Sequence, residues 1–243
     1  MKSRTVILIV CLLLLSAACR KGTQTNANGS VADAPSVSSG DSGQAHTLLD
    51  KGKELYRSDQ DSAAAEAFQQ ALKLDPELAE ANFRLGLAYE ALNKQEEADS
   101  EYKKAIASFK KYIEAHPDDA ESHYMSGQTY ARLHQYSEAA REYRLALKLK
   151  KDDADIYFDL GEALAKLAQY DEAVTAFSKS LEIDPDNYRA EDALEEAREG
   201  AKRIKVGKKH QEDLLKKQKE EELKKAGETG APAAPSKPTP GKG

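Results

Sequence analysis

The sequence predicts an all-α protein: a stack of about four helix-turn-helix units, followed by a capping helix and a charged helical extension. Three observations predict it. Gly52, Gly86, Gly127 and Gly161 each stand twelve residues ahead of an alanine, at Ala64, Ala98, Ala139 and Ala173. The same glycines stand sixteen residues ahead of an aromatic, at Phe68, Tyr102, Tyr143 and Phe177. Neighbouring glycines are 34 residues apart, except Gly86 and Gly127, which are 41 apart. A fixed period of this size, with one seven-residue insertion, marks supersecondary units that bury their apolar faces only by stacking.

The chain opens with Lys2 and Arg4, an apolar run from Val6 to Leu15, and Ser16-Ala17-Ala18-Cys19. The run is shorter than the roughly 20 residues that cross a bilayer, so residues 1–18 read as a cleaved export signal. The small residues before Cys19 resemble the lipobox of bacterial lipoproteins, in which the cysteine carries diacylglycerol and becomes the new N-terminus. That resemblance implies lipidation of Cys19 and a membrane-anchored protein on the periplasmic face. Arg20 is not the aspartate that retains some lipoproteins in the inner membrane, which favours the outer one. The plainer reading is a cleaved signal with an incidental cysteine. Cys11 falls inside the removed segment, so the mature chain has a single thiol and no internal disulfide.

Residues 19–44 are rich in Ser, Gly, Asn, Thr and Ala, too polar to bury a core, and read as a lipidated N-terminus and flexible tether. The four units then occupy 45–78, 79–119, 120–153 and 154–187. In the second, Leu85, Gly86 and Tyr89 share one helical stripe, Asn93-Lys94-Gln95 turns the chain, and Ala98, Tyr102 and Ala105 lie on the returning helix. Glycine and alanine are expected to meet where the helices cross, because larger side chains would overpack the crossing by about 1–3 kcal/mol each. Asp75-Pro76 and Asp184-Pro185 are expected to cap the next helix and to fill its first turn. Ile106, Phe109 and Ile113 keep helical spacing through the insertion, which therefore adds about two turns in phase.

Residues 188–226 read as an amphipathic capping helix running into a Lys/Glu-rich helical extension, broken or weakened near Gly207. Residues 227–243, with Pro232, Pro235, Pro238 and Pro240, are disordered by composition. Charge divides along the same line. Residues 45–200 carry 20 Lys+Arg against 34 Asp+Glu, whereas 201–226 carry 10 against 5. Much of the acid sits in first turns, where the helix dipole favours it; the remaining reading is a preference for basic partners.

The offsets of Leu-Gly, Tyr, Ala, Phe, Ala and Pro resemble the tetratricopeptide repeat. Leu160-Gly161, Ala173, Phe177 and Pro185 match it, as do Gly52, Ala64, Phe68, Ala71 and Pro76. Ser126, Lys151 and Ser180 depart from it, and Leu48, Asn82, His123 and Tyr157 stand at the tryptophan position. The resemblance implies a right-handed solenoid whose first helices line a concave face that holds a protein or peptide. On that face it places Leu49, Phe83, Tyr124 and Phe158, flanked by Lys53, Leu87, Gln128 and Glu162. The aromatics have two readings: anchors for a ligand, or packing between neighbouring first helices. Only Lys53 suits a carboxylate clamp, so an apolar groove is expected instead.

No catalytic constellation shows. The five histidines are scattered, with no zinc-helix spacing, nucleophile elbow or phosphate loop, so neither enzyme activity nor a metal or cofactor is expected. An acidic body argues against nucleic acid. The leading expectation is an adaptor or scaffold of the bacterial envelope. A dedicated assembly factor for a pilus, secretin or outer-membrane complex is the alternative, and a wall-associated structural protein the alternative of another class.

Overall fold

The computed structural model describes residues 39–229. The expectations for the signal segment, Cys19, most of the tether and residues 230–243 lie outside the described residues. Among the described residues nine helices follow in order: α1 Ser39–Arg57, α2 Asp61–Leu74, α3 Ala79–Ala91, α4 Gln95–Ala115, α5 Ala120–Arg132, α6 Tyr136–Leu149, α7 Ala154–Lys166, α8 Tyr170–Ile183 and α9 Tyr188–Thr229. They are an all-α solenoid of stacked helical hairpins, with no strand among the described residues. Helix α1 begins inside the segment expected as tether. Asp41 in its first turn complements the dipole, and Thr47 Oγ1 donates to the Gly43 carbonyl one turn back.

Each odd helix packs on the even helix that follows, and each even helix on the next odd one. Odd helices also touch the next odd helix, α1 to α3, α3 to α5, α5 to α7 and α7 to α9, while even helices touch no even neighbour. The odd side is therefore the crowded, concave one. The interior consists of three buried clusters joined end to end: Tyr89 packs against the first and second, Leu133 against the second and third.

The glycine register has a more specific cause than the expected glycine–alanine crossing. A Cβ built on Gly52, Gly86, Gly127 or Gly161 would collide with the ring of Phe68, Tyr102, Tyr143 or Phe177, at 2.6 Å for Gly127. The helix backbone serves as one wall of the aromatic's pocket, which a methyl group would fill. The four alanines are also fully buried. Gly200 of α9 repeats the device against Tyr170 of α8. All four hairpin turns contain a left-handed residue seven places after the glycine: Asp59, Asn93, His134 and Ala168, with φ between 56° and 58°. Asp, Asn and His tolerate that region; Ala168 is strained there.

The Asp-Pro pairs act differently from expectation. Asp75 and Asp184 end α2 and α8, and their carboxylates accept from the backbone N–H of Glu77 and Asp186 at 3.1 and 3.2 Å. These are side-chain turns that bend the chain between units, and each proline lies in the bend, before the next helix starts. Among the described residues the helices after such bends carry side-chain caps at Asp153, accepting from Ile156 N at 3.1 Å in the unit that lacks proline, and at Asn187, accepting from Ala190 N at 3.1 Å at the start of α9. The tryptophan position has a polar use in the middle of the stack. Asn82 donates to the Pro76 carbonyl at 3.4 Å, and His123 Nε2 donates to the Pro117 carbonyl at 3.2 Å. Buried His123 also forms a hydrogen bond through Nδ1 with Oε2 of buried Glu142 at 2.7 Å.

Helix α9 caps the stack by burying Ala190, Leu194, Ala197 and Ala201. Beyond Ala201 every side chain through Lys225 is exposed, yet the helix runs through Gly207 without a break and reaches Thr229. Gly207 lowers helix propensity by about 1 kcal/mol. The surrounding Lys, Glu, Leu and Gln residues are strong helix formers, and one glycine does not interrupt them.

Candidate peptide-binding groove

Helices α3, α5, α7 and the start of α9 enclose a cavity of about 540 Å³ on the concave side. Its floor is aromatic because the residue three places before each repeat glycine faces the aromatic sixteen places after it. Phe83 lies 6.1 Å from Tyr102, Tyr124 5.9 Å from Tyr143, and Phe158 5.7 Å from Phe177, all tilted. This geometry draws the outer rings inward: Phe83 is 3% exposed and Phe158 4%. They belong to the core and support the groove from below, with Tyr124 half-buried between them.

Of the eight residues expected on this face, Phe83, Leu87, Tyr124, Gln128, Phe158 and Glu162 line the cavity together. Leu49 and Lys53 do not. Leu49 is buried in the first hairpin, and Lys53 reaches Glu80 at 3.2 Å and Asp50 at 3.4 Å beside a smaller hollow. The residues one place after the glycine are the more open ones: Leu87 and Gln128 are half-buried and Glu162 is exposed.

Polar bonds lock the walls. Asp159 of α7 accepts from Tyr124 Oη at 3.0 Å and Gln128 Nε2 at 3.2 Å, tying α7 to α5. Burial raises the Asp159 carboxyl above the ordinary aspartate range, and the nearby carboxylates of Glu162 and Asp155 push the same way against those two bonds. Burial also raises the Tyr124 hydroxyl, with Asp159 adding to the shift. At the other end Tyr102 donates to Glu90 at 2.6 Å, and Arg132 of α5 reaches the same carboxylate at 3.2 Å, tying α3 to α5.

Several groove residues escaped sequence reasoning. Asp155, Asp159, Glu90, Arg132, Lys166 and Arg189 line the cavity. The acid six before the glycine (Glu80, Glu121, Asp155) and the base five after it (Arg57, Arg132, Lys166) recur in three of the four units, a signal that the glycine, alanine and aromatic pattern did not draw on. Arg189 comes from the capping helix and sets its guanidinium 4.3 Å from the Phe158 ring centre. The positions follow from helical spacing alone: 155, 159, 162 and 166 lie on one stripe of α7. Among the described residues no group of three or more His, Cys, Asp or Glu is placed to hold a metal, and no helix is long and apolar enough to cross a membrane.

The fold and groove define an α-helical repeat protein with a concave docking face. Profiles described as tetratricopeptide repeat match residues 98–149, 124–188 and 79–112, and one described as TPR repeat matches 52–93. Together they span more than half of the chain, which belongs to the tetratricopeptide repeat family, whose members bind protein partners. Among solved structures it is similar to Pseudomonas aeruginosa pilF, at 19% identity over 68% of this chain and 72% of that one, with a TM-score of 0.53. It is also similar to MamA AMB-1, at 22% identity over 74% and 98%, with a TM-score of 0.51. At these identities the likeness is one of fold. No curated protein sequence matches the chain.

Proposed function

We propose that the protein is a non-enzymatic adaptor of the bacterial cell envelope, anchored on the periplasmic face of the membrane, the outer one in preference to the inner, by lipid on Cys19. It docks protein segments in the concave groove. The groove is the observation that carries this reading: its floor is fixed by core aromatics, its walls are tied by Tyr124, Gln128, Asp159, Glu90 and Arg132, and Leu87, Gln128 and Glu162 reach its open space. A rigid, preformed surface loses little entropy on binding. The lipobox-like Ser16-Ala17-Ala18-Cys19 supports the anchor.

Two experiments separate the halves of the proposal. A photo-crosslinking side chain at Leu87, Gln128 or Glu162 should trap a discrete set of envelope proteins in intact cells, while the same probe at Lys103 or Lys148 on the even helices should not. Identical patterns at both places would reject the groove. Cys19→Ala should move the protein out of the membrane fraction; unchanged fractionation would reject the anchor.

A further inference from the structure

The charges around the groove are not evenly settled. Arg84 pairs with Glu80 at 3.2 Å and Arg132 with Glu90 at 3.2 Å, so these two cations are committed. Along α7 the carboxylates of Asp155, Asp159 and Glu162 share one face, three and four residues apart. Asp159 is bonded by neutral Tyr124 and Gln128, and Asp155 and Glu162 form no ion pair among the described residues. Two cations balance these three carboxylates, Lys166 at the end of α7 and Arg189, which α9 brings in from outside the repeats. Arg189 does not pair with a carboxylate within ion-pair distance among the described residues. It stands 4.3 Å over the Phe158 ring, nearer than Arg84, which lies 5.8 Å over the ring of Phe83.

We infer that the groove takes a basic, partly apolar peptide segment, whose arginine or lysine occupies the place Arg189 holds over Phe158 beside Asp155, Asp159 and Glu162. This rests on the groove reading of the preceding subsection and gives the ligand its chemistry. Arg189 is an internal stand-in for that side chain. A guanidinium fits the site because it stacks on an aromatic face while keeping its N–H groups in plane for carboxylates around it. The apolar part of the segment meets half-buried Leu87 and the ring of Tyr124. Burial first, and the neighbouring Glu162 and Asp155 carboxylates after it, hold the Asp159 carboxyl above its usual range. Long-range charge points the same way, since residues 45–200 carry 34 acidic against 20 basic side chains. Because Arg189 is tethered, it competes with the ligand, and a partner binds at the cost of displacing it.

The test uses the full chain and two labelled synthetic nonapeptides, one with two arginines flanking a leucine and one with both arginines replaced by glutamate, read by fluorescence anisotropy at low salt. The basic peptide should bind, Arg189→Ala should tighten it about threefold or more, and Asp155→Asn with Glu162→Gln should weaken it about tenfold. Circular dichroism checks that all variants keep their helix content. Looser binding to Arg189→Ala, or binding of the glutamate peptide as tight as that of the arginine peptide, would overturn the inference. If the glutamate peptide binds and Leu87→Glu abolishes it, the groove reading survives and the basic ligand falls. If the arginine peptide binds with no response to Leu87→Glu or to the double variant, it sits elsewhere and both readings fall. If neither peptide binds wild type or Arg189→Ala, the basic ligand is rejected.

Discussion

The stacked hairpins and the outer half of α9 are both fully helical, but they hold that shape for opposite reasons. In the stack a helical glycine is required: Gly86 leaves the space in which the Tyr102 ring lies, and the helices are stable because they bury one another. In the outer half Gly207 has nothing within 4 Å of where a Cβ would be, and Ile204, Val206, Leu214, Leu215 and Leu223 are all exposed. That segment depends on local terms. Glu212, Asp213, Glu220 and Glu221 each precede a lysine by four residues, the favourable orientation, worth a few tenths of a kcal/mol per pair. The same residue type therefore has opposite signs in the two regions, and helix content alone does not reveal which helices belong to the core.

The contrast is sharpest where the stack buries polar groups. His123→Ala should cost about 2 kcal/mol, because it leaves Glu142 Oε2 and the Pro117 carbonyl without their imidazole partner, while Arg141 still holds Glu142 Oε1 at 2.8 Å. Chemical denaturation measures it, and His123→Asn should recover part of the loss, since Asn82 makes the equivalent contact to Pro76. A cost near zero would mean that the buried pair contributes nothing to the stack. Gly86→Ala should cost about 2 kcal/mol by overpacking Tyr102, and Tyr102→Leu in the same chain should return much of it. Ala168→Gly should instead stabilise by about 1 kcal/mol, because the turn residue sits at φ 57°; a lower melting temperature would contradict the strain. Gly207→Ala should raise the helicity of the outer segment by up to about 1 kcal/mol while leaving the unfolding midpoint of the stack unmoved.

The groove adds a pH-dependent member to the series. The Asp159 carboxyl is raised in the folded protein, so what it contributes to stability is present below the ordinary aspartate value near 4 and is lost as pH rises through its folded value. Asp159→Asn removes that dependence. Its stability relative to wild type should therefore increase from about pH 4 upward, and a difference that is flat with pH would show that burial does not perturb this group.

Much of the fold was legible because packing repeats: Gly52, Gly86, Gly127 and Gly161, the alanines twelve on and the aromatics sixteen on recur since each hairpin solves one steric problem in one way. The groove was legible only in outline. Leu87, Gln128 and Glu162 open onto it, and Phe83 and Phe158, read either as ligand anchors or as packing, are held in the core by the partner aromatics. Periodicity places a residue on a face; how far it is buried depends on what the opposite helix presents. Asp159 was missed because its place, two before the glycine, varies between Asp50, Arg84, Met125 and Asp159, and Arg189 because it lies beyond the repeats. The start of α1 and the continuity through Gly207 were missed for a related reason: composition alone undervalues helices whose support is local or borrowed from a neighbour.

Amide hydrogen exchange along the whole chain tests the central claim most directly. Helices α2 to α8 and α9 up to Ala201 should exchange slowly through cooperative opening of the stack, and protection should fall sharply after Ala201 although the helix continues. Protection of residues 202–225 equal to that of α3 would contradict the account, because it would place the outer half of α9 inside a core that the packing described here denies it.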